Sequence, residues 1–173
     1  MHLELISPAT LGERAPEFIA LLRDAIEQGA SLGFTLPVTD PELRDYWRKV
    51  GAELLEQRRL LLAAFDANGG LIGSAQLALE SRANGRHRAE VQKVMVLAAQ
   101  RGQGVGGGLM ARVETEARGQ GRRLLFLDTS AGEGGAVKFY ERLGYEFAGS
   151  IPDYAADPDG RLVPNAIFYK RLA

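Results

Sequence analysis

Residues 101 to 108 read Arg101-Gly102-Gln103-Gly104-Val105-Gly106-Gly107-Gly108, and directly behind them Leu109, Val113 and Ala117 recur at helical spacing. Glycine inside a helix costs up to about 1 kcal/mol relative to alanine, so glycines this dense at a helix start need a compensating reason. Backbone access supplies one. The first amides of a helix have no carbonyl partner within it, and glycines let an anion approach them closely. Arg101 adds a fixed positive charge beside them. The segment therefore reads as a phosphate-binding helix start in preference to a merely flexible turn.

The elements around this loop follow from changes of apolar period. Residues 3–6 read as a strand, and Thr10 or a neighbour is expected to cap a helix running to about Gly29, with Phe18, Leu21, Leu22 and Ala25 on one face. Asp40, preceding Pro41 at the first helical position, is expected to cap a second helix carrying Leu43, Tyr46, Trp47, Val50 and Leu54. Residues 60–65 and 71–79 are apolar strands separated by Asp66-Ala67-Asn68-Gly69-Gly70, a hairpin signal, and Asn84-Gly85 turns the chain into a third strand over 89–97. These three should form an antiparallel meander. The helix behind the glycines should end near 119–121 and lead into a buried strand over 123–128. A shorter helix over 136–143 should stop at Gly144, and 145–151 and 165–171 read as the last strands, joined through Asp157-Pro158-Asp159-Gly160.

With 173 residues, 46% of them hydrophobic, a single domain with one substantial core is expected. Acidic and basic residues nearly cancel to a formal charge of −1, which argues against a nucleic-acid partner. There is no cysteine, which excludes disulfides, thiolate metal sites and an acyl-cysteine intermediate. The two histidines, His2 and His87, have neither zinc-site spacing nor the companions of a hydrolase triad, so no metal is expected. The first ten residues do not read as a signal peptide and no apolar stretch approaches bilayer length, so a cytoplasmic protein without a membrane partner is expected.

Which anion the loop holds is not decided by the glycines alone. Gly102, Gly104 and Gly107 also satisfy the dinucleotide fingerprint, with Asp128 at about the expected distance, so an NAD-type oxidoreductase is a rival reading. Three features oppose it. Residues 97–101 separate strand from loop where a tight turn is required. Glu90, Gln92 and Lys93 suit a half-exposed antiparallel strand, and too little chain follows Asp128 for a doubly wound sheet. A P-loop fails because Gly108-Leu109 stands where Lys-Ser or Lys-Thr should be.

The strand Val94-Met95-Val96, followed by Arg101-Gly102-Gln103-Gly104-Val105-Gly106 and a helix, resembles the signature of the GNAT superfamily of acyl-CoA-dependent N-acetyltransferases. The later segment Ala136-Val137-Lys138-Phe139-Tyr140-Glu141-Arg142-Leu143-Gly144-Tyr145 resembles that superfamily's second motif. More narrowly, the segment from Ala89 to Val96 together with Leu127-Asp128-Thr129 is similar to the tabtoxin-resistance type. The resemblance implies an α/β fold with a mixed, mostly antiparallel seven-stranded sheet, flanked by helices and splayed between strands four and five. It also implies acetyl-CoA as co-substrate. Val94, Met95 and Val96 would pair with its pantetheine arm, and the loop of Arg101, Gly102, Gln103, Gly104, Val105, Gly106 and Gly107 would hold its pyrophosphate.

The chemistry asks for a base, because an aliphatic amine titrates near about 10 and only its neutral form attacks a thioester. Glu90 and Asp128 are the candidates, directly or through water; their plainer alternatives are a solvated strand residue and a cap on the following turn. Without cysteine, transfer should be direct, in a ternary complex through a tetrahedral intermediate. The resemblance implies the Val96 amide as oxyanion donor and Tyr140 as the acid that protonates the leaving sulfur. Tyr46, Trp47, Asp153 and Tyr154 are candidates for the acceptor pocket, and Arg86-His87-Arg88 for an anion contact, although core packing and a solvated hairpin tip explain them as well. The expected acceptor is a small amine, an amino-acid-like antibiotic or metabolite among the candidates, and the expected assembly is a monomer or homodimer. A non-catalytic acyl-CoA-binding module is the remaining alternative.

Overall fold

The computed structural model describes residues 1–131 and 136–172. In chain order it runs β1 (His2–Leu5), α1 (Pro8–Glu13), α2 (Ala15–Glu27), α3 (Asp40–Leu55), β2 (Arg59–Phe65), β3 (Leu71–Leu79), β4 (Arg88–Val96), α4 (Val105–Gly119), β5 (Leu124–Ser130), α5 (Ala136–Arg142), β6 (Glu146–Gly149), β7 (Ala155–Ala156), β8 (Leu162–Val163) and β9 (Asn165–Arg171). Seven strands form one sheet in the order β1-β2-β3-β4-β5-β9-β6, while β7 and β8 make a separate hairpin. Every neighbouring pair is antiparallel except β4 and β5.

Strand β2 shows why helices cover both faces. Leu61, Ala63 and Phe65 pack with Phe18, Leu22, Trp47 and Val50 of α2 and α3, whereas Leu62 and Ala64 pack with Val105, Leu109 and Val113 of α4. A period of two with apolar residues on both faces leaves no side for water. No helix among the described residues is long and apolar enough to cross a membrane.

The meander forms as expected, and β3 matches its predicted span. Three expectations change. The helix predicted from Thr10 to Gly29 is two helices, α1 capped by Ser7, whose hydroxyl accepts from the Thr10 amide at 3.1 Å, and α2. Pro16 explains the break: with no N–H it cannot continue the hydrogen-bond ladder of α1. The cap of α3 is Thr39, not Asp40; the Glu42 carboxylate accepts from the Thr39 amide at 2.8 Å, while Asp40 lies in the first turn and pairs with Arg23. The turn over 157–160 joins β7 to β8, a hairpin absent from the sequence reading.

Candidate active site

Pairing between β4 and β5 is confined to Arg88↔Leu124, Ala89↔Leu125 and Glu90↔Phe126. Beyond Glu90 the two strands part, so the edge of β4 carrying Val94, Met95 and Val96 is not covered by β5. A 3₁₀ turn at Ala98–Gln100 then leads to the glycines, and the Arg101 guanidinium reaches back to donate to the Val96 carbonyl at 3.3 Å. Gly102 and Gly104 both take left-handed backbone angles, with φ of 77° and 82°, and Gly104 caps α4. The amides of Val105, Gly106 and Gly107 lie in its first turn, where no carbonyl of the helix can receive them.

Three residues past the last parallel pair, β4 has an irregularity. Ser74 of β3 faces Met95 and Gln76 faces Gln92, so Ala75 is opposed by two residues, Lys93 and Val94. Lys93 has φ of 50°. This β-bulge reverses the alternation: Ala89 and Val91 pack on the α4 side, whereas Met95 packs on the α1–α3 side.

The parted strands wall a cavity of ≈ 260 Å³ that brings together Glu90, Lys93 and Asp128, with Ser31 to Gly33 and Tyr154 of neighbouring loops at its border. Asp128 lies within β5 opposite Ile167, two residues beyond the last parallel pair, so it is a strand residue and not a cap. Glu90 and Asp128 are thereby placed on the two walls of one cavity. Burial, and then the Arg59 charge, push the Lys93 ammonium below the ordinary lysine range, with Asp128 and Glu90 opposing the shift.

Tyr140 occupies the other side of the sheet. It is buried in α5 among Phe139, Tyr145 and Phe168, and burial, with a smaller contribution from the Asp128 charge, pushes its hydroxyl well above the ordinary tyrosine range. Its phenol therefore stays protonated at neutral pH. Phe139 lies against the glycine loop: a Cβ built on Gly106 would meet its ring at 3.2 Å.

The proposed acceptor-pocket residues separate. Tyr154 lines the cavity and Asp153 does not. Trp47 belongs to the α1–α3 core. Tyr46 packs beneath Lys93, its ring centroid 6.0 Å from Nζ, and its hydroxyl is hydrogen-bonded to the buried Gln76. Arg86, His87 and Arg88 stand at the paired start of β4, away from the opening, with Arg88 bound to Glu80. Lys93, which its sequence context marks only as a half-exposed strand residue, also lines the cavity.

One parallel pair in an otherwise antiparallel sheet is incompatible with a doubly wound dinucleotide fold. The acetyltransferase (GNAT) family profile matches residues 20–145. The chain belongs to this family. As a GNAT protein it is an N-acetyltransferase, and the mixed sheet with its single parallel pair is the arrangement of solved GNAT structures. The L-methionine sulfoximine/L-methionine sulfone acetyltransferase of Pseudomonas aeruginosa is 28% identical over 137 residues, 79% of this chain and 77% of that one. A candidate phosphinothricin N-acetyltransferase superposes with a TM-score of 0.81 at 25% identity, covering 99% of this chain and 98% of the other. The yncA protein of Salmonella typhimurium, solved with its cofactor acetyl-CoA, superposes with a TM-score of 0.79 at 19% identity over 100% of this chain and 94% of that one.

Proposed function

We propose that this chain is one GNAT domain that transfers an acetyl group from acetyl-CoA directly to the amine of a small, amino-acid-like acceptor. The observation that carries the reading is the parting of β4 from β5 beyond Glu90, between the glycine helix start and a cavity holding two carboxylates. Acetyl-CoA supplies an activated acetyl thioester when bound. The open edge at Val94, Met95 and Val96 offers strand-like partners to amide groups, and Arg101, Gly102, Gln103, Gly104, Val105, Gly106 and Gly107 offer amides and a cation to phosphates.

Glu90 or Asp128 takes the proton of the acceptor ammonium, directly or through water, and the Tyr140 hydroxyl returns one to the leaving sulfur. No cysteine is present to carry the acetyl group between them. The cavity, at ≈ 260 Å³, is smaller than the roughly 300–1,000 Å³ of drug-sized sites, which favours a compact acceptor. The Pseudomonas aeruginosa relative, an L-methionine sulfoximine/L-methionine sulfone acetyltransferase, supports the same class.

A thermal-shift series tests the cofactor. Acetyl-CoA at 100 times its dissociation constant stabilises by about 2.7 kcal/mol, or roughly 5–11 °C for a chain of this length. Coenzyme A should act similarly and NAD should not. No shift with either coenzyme A species sinks the reading.

A further inference from the structure

Lys93 combines two unfavourable features. A non-glycine residue at φ of 50° carries backbone strain, and its ammonium is largely withdrawn from water. Among the described residues Nζ has no hydrogen-bond or ion-pair partner: Glu90 and Asp128 act on it electrostatically, but neither is within ion-pair distance. Its neighbours are the Tyr46 ring and the Gly33 backbone, where an added Cβ would lie 3.9 Å from Nζ. Arg59, the nearby cation, is already engaged by Glu53, Gln76 and Gln92. Lys93 is also the only cationic side chain among the described residues that line the cavity.

The cavity thus sets one unpaired cation beside two carboxylates. An α-amino acid presents the opposite set, an ammonium next to a carboxylate. We propose that Lys93 binds the carboxylate of the acceptor, so that this enzyme selects free α-amino acids, or analogues with an unblocked carboxylate, over simple amines. The bulge is what turns the Lys93 side chain out of the strand's alternation and into the cavity. The inference rests on the acetyl-transfer reading. Glu90 and Asp128 remain free to take the acceptor's proton, while Lys93 positions the acceptor.

The test compares L-methionine sulfone and a panel of L-α-amino acids with their carboxamides, in wild type, Lys93→Met and Lys93→Arg. Carboxamides carry more free amine at neutral pH, so wild-type preference for the carboxylates would run against amine reactivity. Wild type should prefer the carboxylates, and Lys93→Met should lose about 10- to 150-fold in kcat/KM on them, the fold-change of one charge-assisted hydrogen bond, and little on the carboxamides. Lys93→Arg should restore part of the loss. In the presence of coenzyme A, the added thermal shift from L-methionine sulfone should vanish in Lys93→Met, while the shift from acetyl-CoA persists and reports an intact fold. Equal wild-type activity on acids and carboxamides, or an equal loss on both in Lys93→Met, overturns the carboxylate role and leaves acetyl transfer standing. Acetyl-CoA binding without acetylation of either series overturns both.

Discussion

Gly73 is the position where the sheet and the start of α4 can be disturbed together. It lies in β3 opposite Val96, and a Cβ there would stand 2.8 Å from the Met95 carbonyl oxygen and 3.2 Å from both Val105 Cγ1 and Leu109 Cδ1. The first contact is with backbone, so no rotamer relieves it. The other two are with fully buried side chains of α4. Gly73→Ala must therefore separate β3 from β4 or lift the start of α4 off the sheet. Overpacking of this kind costs about 1–3 kcal/mol, against a gain of roughly 0.5–1 kcal/mol for replacing a strand glycine, which leaves a net loss of about 1 kcal/mol from the middle of the two ranges and at most about 2.5 kcal/mol. The amides of Val105, Gly106 and Gly107 ride on the displaced turn, so acetyl-CoA affinity should fall by about tenfold or more, the loss of one hydrogen bond to a charged phosphate at about 1.5–3 kcal/mol. Urea denaturation should show a lower midpoint with an unchanged slope, and calorimetry a weaker acetyl-CoA dissociation constant. An unchanged midpoint refutes the packing argument. A lower midpoint with undiminished affinity refutes the coupling of Gly73 to the glycine loop.

Tyr140→Phe should lower turnover by about 10²–10⁴-fold while leaving acetyl-CoA affinity nearly intact; single-turnover rates at saturating acetyl-CoA measure this, and an unchanged rate removes the acid role. Glu17 receives two hydrogen bonds of 2.8 Å from Arg14 and a third of 3.2 Å from the Leu71 amide, and chiefly the Arg14 bonds hold its carboxyl below the usual carboxylate range. Its stabilisation is therefore complete above the unfolded value near about 4.3 and is lost as pH falls through the lower folded value, so the Tm gap between wild type and Glu17→Gln should close in acid; a constant gap down to about pH 3 contradicts it.

The parts legible in the sequence were those set by neighbours along the chain. The turn Asp66-Ala67-Asn68-Gly69-Gly70 fixes β2 and β3 because Asp66 bonds the amides of Asn68 and Gly70 at 2.8 and 2.9 Å, a local arrangement that its residue types announce. Pro16 was equally local and marked the break between α1 and α2, but the apolar stripe through Phe18 and Leu22 masked it. Glu90, Asp128 and Tyr140 stood out as reactive types within motifs. Their arrangement depends instead on the parallel register Glu90↔Phe126 and on the packing of α5, neither of which any short segment encodes.

Lys93 was hidden for a more specific reason. Glu90-Val91-Gln92-Lys93-Val94 reads as an unbroken strand, and the extra residue exists only as a mismatch with Ser74, Ala75 and Gln76 on β3. That one mismatch falls within the stretch of β4 that β5 leaves unpaired. A bulge bends its strand and sharpens the local twist, and here it lies three residues beyond Glu90, the last residue of β4 that pairs with β5. The bend that turns Met95 toward α1–α3 thus belongs to the same stretch that leaves Val94 and Val96 uncovered, and the residue at its centre carries the cavity's ammonium. A single inserted residue on β4 accordingly lies along the edge assigned to acetyl-CoA and aims the group assigned to the acceptor's carboxylate, which places donor and acceptor on either side of one backbone irregularity.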